Sequence, residues 1–138
     1  MVEGRLSVLV VEDDGDMRSL LRDGLGSEDY VFHEAEDGDG AFLSVLRTAP
    51  DLILTEIRLS AGGVEYVNRL RVFVPHCPIV VLTAFGDQRI RSEVLRAGAT
   101  AYFSKPVHLA ELRSCVSQLL GVTHRIAPKD RIATESVR

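Results

Sequence analysis

The chain has few of the residues and patterns that mark metal-thiolate, membrane or nucleic-acid chemistry. Its two cysteines, Cys77 and Cys115, stand 38 positions apart with no CxxC pair. His33, His76, His108 and His124 are scattered, so neither a zinc site nor a dithiol redox motif is indicated. Sixteen basic side chains against twenty acidic ones leave a formal net charge of −4, which gives this segment no electrostatic reason to bind nucleic acid. The longest apolar stretch near the N-terminus, Leu6 to Val11, spans six residues. That is too short for a transmembrane span or a signal-peptide core, and the expected location is cytoplasmic. No internal repeat of fixed period is present.

What remains is an ordinary globular composition, 46% hydrophobic and 26% charged in 138 residues, long enough for one domain with a real core. Short apolar runs alternate with stretches of helical period. Leu6 to Val11 reads as a strand, and Met17, Leu20, Leu21 and Leu25 form one stripe of a helix from about Asp16 to Leu25 that Gly26 ends. A second strand, Tyr30 to Ala35, precedes a helix from Gly38 to Thr48 with Phe42, Val45 and Leu46 on one face. Leu52, Ile53 and Leu54 read as a strand buried on both sides. A third helix carries Val64, Val67 and Leu70; Ile79 to Leu82 is a fourth strand, followed by a helix from Asp87 to Ala97. Ala101 to Phe103 is a short fifth strand before a helix from His108 to Leu120, on which Cys115 packs as a small hydrophobe. Five such β-α units imply a parallel, doubly wound sheet with right-handed crossovers. Periodicity fades after Gly121, and residues 122–138 read as a tail or linker.

In such a sheet all strands end on one edge, where ligands bind. Glu12, Asp13, Glu56, Thr83 and Lys105 follow strand ends and are expected to converge. Clustered carboxylates repel and raise one another's pKa unless a cation neutralises them. An all-oxygen set favours Mg²⁺ or Mn²⁺ over zinc, and a lysine and a threonine beside it suit a phosphoryl group.

Four motifs in order, Val10-Val11-Glu12-Asp13-Asp14, Asp51 through Arg58, Val81-Leu82-Thr83-Ala84 and Tyr102-Phe103-Ser104-Lys105-Pro106, resemble the receiver domain of two-component response regulators over about residues 5 to 120. The resemblance implies a flavodoxin-like fold with strand order 2-1-3-4-5 and a receiver over residues 1–121. It also implies Mg²⁺ bound by Glu12, Asp13, Glu56 and the Arg58 carbonyl. Lys105, Thr83 and Ala84 would be at the phosphoryl group, Tyr102 would change rotamer, and Pro106 would follow a cis peptide. Implied partners are a histidine kinase or phosphotransfer protein, with a further copy or an effector docking on the face of the fourth helix, fifth strand and fifth helix, near Arg89, Arg91 and Arg96. Such domains are switches that catalyse their own phosphotransfer and dephosphorylation and are not otherwise enzymes.

Two features depart from the family pattern. Glu56 stands where the family has its phosphoacceptor aspartate, so impaired phosphorylation and a partial phosphomimetic are expected. Ser60-Ala61-Gly62-Gly63 replaces a longer, proline-containing loop, and the paired glycines add backbone freedom. The alternatives are a metal-free pseudo-receiver acting in interaction or dimerisation, and a haloacid dehalogenase-type phosphatase built on Asp14-Gly15-Asp16. Asp14 and Asp16 otherwise read as helix-capping acids. A nucleotide-binding flavodoxin relative is disfavoured because no glycine-rich loop follows the first strand.

Overall fold

The computed structural model describes residues 4–26, 28–84 and 87–121. Five strands, β1 (Leu6–Val11), β2 (Tyr30–Ala35), β3 (Leu52–Thr55), β4 (Ile79–Thr83) and β5 (Ala101–Ser104), alternate with α1 (Gly15–Leu25), α2 (Gly38–Thr48), α3 (Val64–Phe73), α4 (Gln88–Ala97) and α5 (Leu109–Leu120). All pairings are parallel and the order is β2-β1-β3-β4-β5, as the resemblance implied. The final residues, 122–138, lie outside the described part. Among the described residues no helix is long and apolar enough to cross a membrane.

The central strands β3 and β4, and β1 from Val8 onward, are almost wholly apolar and buried because both faces are covered, whereas the edge strands β2 and β5 are only partly buried. Side chains alternate across a strand, so Val8 and Val10 pack with Leu21, Leu25, Leu112 and Val116 of α1 and α5. Leu9 and Val11 go to the opposite layer, with Ala41, Val45, Tyr66, Val67, Leu70 and Val94 of α2, α3 and α4. Two expected core positions are on the surface: Leu20 is 50% exposed and Leu46 68% exposed. On α1 the inward arc is taken by Leu21 and Leu25, and on α2 by Gly38, Ala41 and Val45; a step of one residue turns a side chain by about 100° and carries it off that arc.

Aspartates at the upper edge start three of the helices. Asp14 accepts from Asp16 and Met17 N–H, Asp37 from Gly40 N–H and Asp87 from Ile90 N–H, satisfying donors the helix cannot. The loop after β3 is more tightly closed than its glycines suggested. Gly62 N–H donates to the Leu59 carbonyl (3.0 Å) and Gly63 N–H to that of Ile57 (2.8 Å). A Cβ on Gly62 would lie 2.4 Å from the Ile57 oxygen, and one on Gly38 would lie 1.9 Å from that of Ala61. The missing side chains are thus used for close approach, and Gly38 N–H seals α2 to the loop through the Ser60 carbonyl at 2.9 Å.

Candidate functional site

Backbone bonds carry the sheet one residue beyond its strands and set the site. Glu12 N–H donates to Ala35 (3.0 Å), Glu56 N–H to Val11 (2.9 Å) and Lys105 N–H to Thr83 (3.0 Å). Three side chains far apart in sequence therefore start from one edge. The Lys105 ammonium bridges the other two, with Nζ 2.7 Å from Glu12 Oε1 and 2.9 Å from Glu56 Oε1. Both glutamates are buried, at 3% and 5% exposure. Glu56 Oε2 accepts from the N–H groups of Ile57 (2.8 Å) and Arg58 (3.0 Å), and Glu12 Oε2 accepts from Asp14 N–H (3.2 Å). The Lys105-Pro106 peptide is cis.

One ammonium shared by two carboxylates does not serve them equally. Burial pushes Glu56 upward, but the Arg58 N–H, Lys105, Thr83 and the Ile57 N–H outweigh it and hold the carboxyl below its ordinary 4.5. Burial also raises Glu12, and Lys105 offsets this only in part while neighbouring Asp13 adds to it, leaving Glu12 above 4.5. Burial lowers Lys105, yet its bonds to Glu12 and Glu56 prevail and raise it above 10.5. Glu56 is thus the firmly ionised acid and Glu12 the strained one.

The remaining expected residues are distributed around this pair. Asp13 is exposed beside Glu12. Asp14 caps α1, its Oδ1 accepting from the Asp16 and Met17 N–H groups, which is the helix-capping role and not that of a phosphatase nucleophile in Asp14-Gly15-Asp16. Thr83 favours the Glu56 anion, although among the described residues its buried Oγ1 makes no well-formed hydrogen bond and the buried Tyr102 hydroxyl has no partner. Ala84 is exposed at the end of β4.

These residues as placed do not fit a divalent ion. All four carboxylate oxygens of Glu12 and Glu56 face N–H donors. Among the described residues no three carboxylate, imidazole or thiolate groups are gathered to hold a metal. The compensating cation is the lysine.

The profile of the response regulator receiver domain matches residues 8–117. The chain belongs to that family. This receiver is 36% identical to the sensor histidine kinase TmoS of Ectopseudomonas mendocina, with 83% of the chain covered but only 12% of TmoS. It is 29% identical to sporulation initiation phosphotransferase F of Bacillus subtilis, covering 82% of the chain and 92% of that protein. A two-component response regulator from Clostridium difficile superposes with a TM-score of 0.80 at 26% identity, covering 87% of the receiver and 99% of its own chain.

Several residues without a motif of their own also build this site. Arg18 donates to the Glu12 carbonyl and pairs with Glu34 on β2 at 2.8 Å; Arg22 holds the same carboxylate at 2.8 Å. Arginines four apart on a helix facing an acid on the adjacent strand were the available signal. Tyr66, wholly buried on α3, brings its hydroxyl within 2.8 Å of Thr55 Oγ1, which donates to the Glu56 carbonyl at 2.7 Å.

The opposite shifts give stability profiles of opposite sign. Glu56, lowered on folding, contributes stability that is full above 4.5 and is lost as pH falls through its folded value. Glu12, raised on folding, opposes the folded state as pH rises from 4.5 through its folded value. Urea denaturation at stepped pH is expected to show that Glu56→Gln removes a loss on the acid side of 4.5 while Glu12→Gln removes a decline just above it. Variant profiles running parallel to that of the unmodified chain would contradict the assignment.

Proposed function

We propose that this receiver is a two-component signalling module that works independently of phosphorylation, with Glu56 at the phosphoacceptor position. The observation that supports it is the double anchoring of an ionised Glu56, by Lys105 on one oxygen and by two backbone N–H groups on the other. Receiver domains are switch domains with autophosphorylation activity. Relative to an aspartate, Glu56 carries its oxygens about 1.5 Å further out, one carbon-carbon bond. A displacement of ~1 Å from in-line geometry costs on the order of 10²-fold in rate. The anchored carboxylate instead draws Lys105 as a phosphoryl group would, though with one charge where a phosphate carries nearly two.

Receiver domains typically bind Mg²⁺. Here Lys105 already satisfies Glu12 and Glu56, so Mg²⁺ or Mn²⁺ would have to displace it before Glu12, Asp13, Glu56 and the Arg58 carbonyl could act as ligands. The same observation favours the second reading, a metal-free pseudo-receiver serving interaction or dimerisation. In either case the module is cytoplasmic, forms the residue 1–121 domain of its chain, and meets a histidine kinase or phosphotransfer protein, an effector or a second copy across α4, β5 and α5. Of the arginines expected on that face, Arg96 lines the groove between α3 and α4 with Val64, Glu65 and Asn68, and Arg89, seven positions earlier on α4, shares its side and pairs with Glu93. Arg91 is the one left for the α4-β5-α5 face, where the buried Tyr102 hydroxyl, without a hydrogen-bond partner among the described residues, is placed to change its contacts.

With acetyl phosphate and Mg²⁺, mass spectrometry is expected to find no phosphate on Glu56, whereas Glu56→Asp gains it at least about 10²-fold faster. A stoichiometric gain of one phosphate located on Glu56 would overturn the reading, and an inert Glu56→Asp variant would favour the pseudo-receiver. Calorimetric titration with Mg²⁺ is expected to give a Kd weaker than about 1 mM, the weak end of the range known for oxygen-ligated calcium sites. Submillimolar binding would contradict the lysine's role as resident cation.

A further inference from the structure

Beneath the acidic edge lies a chain of buried polar groups that neither the sheet nor the lysine bridge requires. Tyr66 is fully buried in the layer under α2 and α3, its ring packed edge-on against Phe42 at 6.1 Å. A phenol at such a position needs a partner for its hydroxyl, and the partner is Thr55, itself 1% exposed. Thr55 has a single hydroxyl proton, and it goes to the Glu56 carbonyl at 2.7 Å. That leaves Tyr66 as the donor to Thr55 Oγ1. Burial raises the Tyr66 phenol far above its ordinary value, so it stays a donor over the whole working range of pH. The bonds therefore have one direction, from α3 through the end of β3 to the backbone of Glu56.

The Glu56 carbonyl and the Ile57 N–H are the two ends of one peptide unit, which is planar, and in a trans peptide they point opposite ways. Drawing the carbonyl into the core aims the N–H outward, and that N–H donates to Glu56 Oε2 at 2.8 Å. We propose that Tyr66 and Thr55 are positioning residues which lock the Glu56–Ile57 peptide plane, so that its N–H is held ready for the Glu56 carboxylate. This rests on Glu56 being the residue at the acceptor position. It adds to the loop's own hydrogen bonds a rigid anion support that originates on α3. The constraint passes from Tyr66 through Thr55 to the rigid peptide unit.

Tyr66→Phe keeps the ring and its packing on Phe42 and removes only the donor, Thr55→Val removes the relay, and Thr55→Ser preserves it. In the full chain, the NMR signal of the Ile57 amide is the readout. Its proton is expected to shift upfield and to exchange with solvent at least about tenfold faster in Tyr66→Phe and Thr55→Val, a loss of about 1.4 kcal/mol in local protection by the factor-of-ten equivalence. Amides of β1 and β4 keep their protection, and Thr55→Ser restores the Ile57 signal. An Ile57 amide unchanged in Tyr66→Phe and Thr55→Val, or one that falls only in step with β1 and β4, would overturn the proposal and leave a plain core hydroxyl pair. The outcome is independent of phosphorylation, so a phosphorylated Glu56 in the separate assay would defeat the functional reading without deciding this one.

Discussion

The Lys105 ammonium lies within hydrogen-bonding distance of two buried carboxylates that would otherwise repel each other, and the rest of the upper edge is arranged around that contact. Without the lysine each acid would keep only its backbone N–H donors, and breaking a buried ion pair by removing one partner costs up to about 3–5 kcal/mol. The sheet places the three backbone origins, since β1, β3 and β5 end on one edge. Around them, Arg18 fixes the Glu12 carbonyl, Thr55 fixes that of Glu56, and the cis Lys105-Pro106 peptide leads into α5. Each acid is thus held by its backbone as well as by its side chain, and the lysine joins two supports already in place.

The surroundings are built for the same end. Gly38 lets α2 approach the loop after β3 within a distance no Cβ would allow, and Gly62 closes that loop on the Ile57 carbonyl. The loop so closed carries the two N–H groups that face Glu56 Oε2. A segment that looks permissive in sequence is therefore fixed by its own hydrogen bonds: Gly62 is needed for its small size, and Gly63, with open space around it, for its φ of 91°.

Most of the fold was legible in the sequence because strands covered on both faces read as unbroken apolar runs, and because punctuation such as Gly26, Pro50 and Gly98 separates them. What failed was finer. Leu20 and Leu46 lie within a residue of the true inward arc, and hydrophobic spacing alone cannot distinguish its edge from its centre. At the site, topology alone foretold that Glu12, Glu56 and Lys105 would meet. It did not show which cation would neutralise the acids, since a flexible lysine stem and an incoming metal satisfy the same spacing. Tyr66 was hidden for a related reason: an aromatic residue at a buried helical position reads as core, and nothing in its spacing shows that its hydroxyl reaches the end of β3.

The most direct test of the lysine bridge is a double-mutant cycle in unfolding free energy between Lys105→Met and Glu56→Gln, at neutral pH. The two groups touch at 2.9 Å, and contacting charged residues couple by about 0.5–3 kcal/mol; the account predicts a coupling of at least about 1 kcal/mol, with the paired variant more stable than the sum of the single losses allows. Effects that add to within about 0.3–0.5 kcal/mol, as for distant and independent sites, would contradict it.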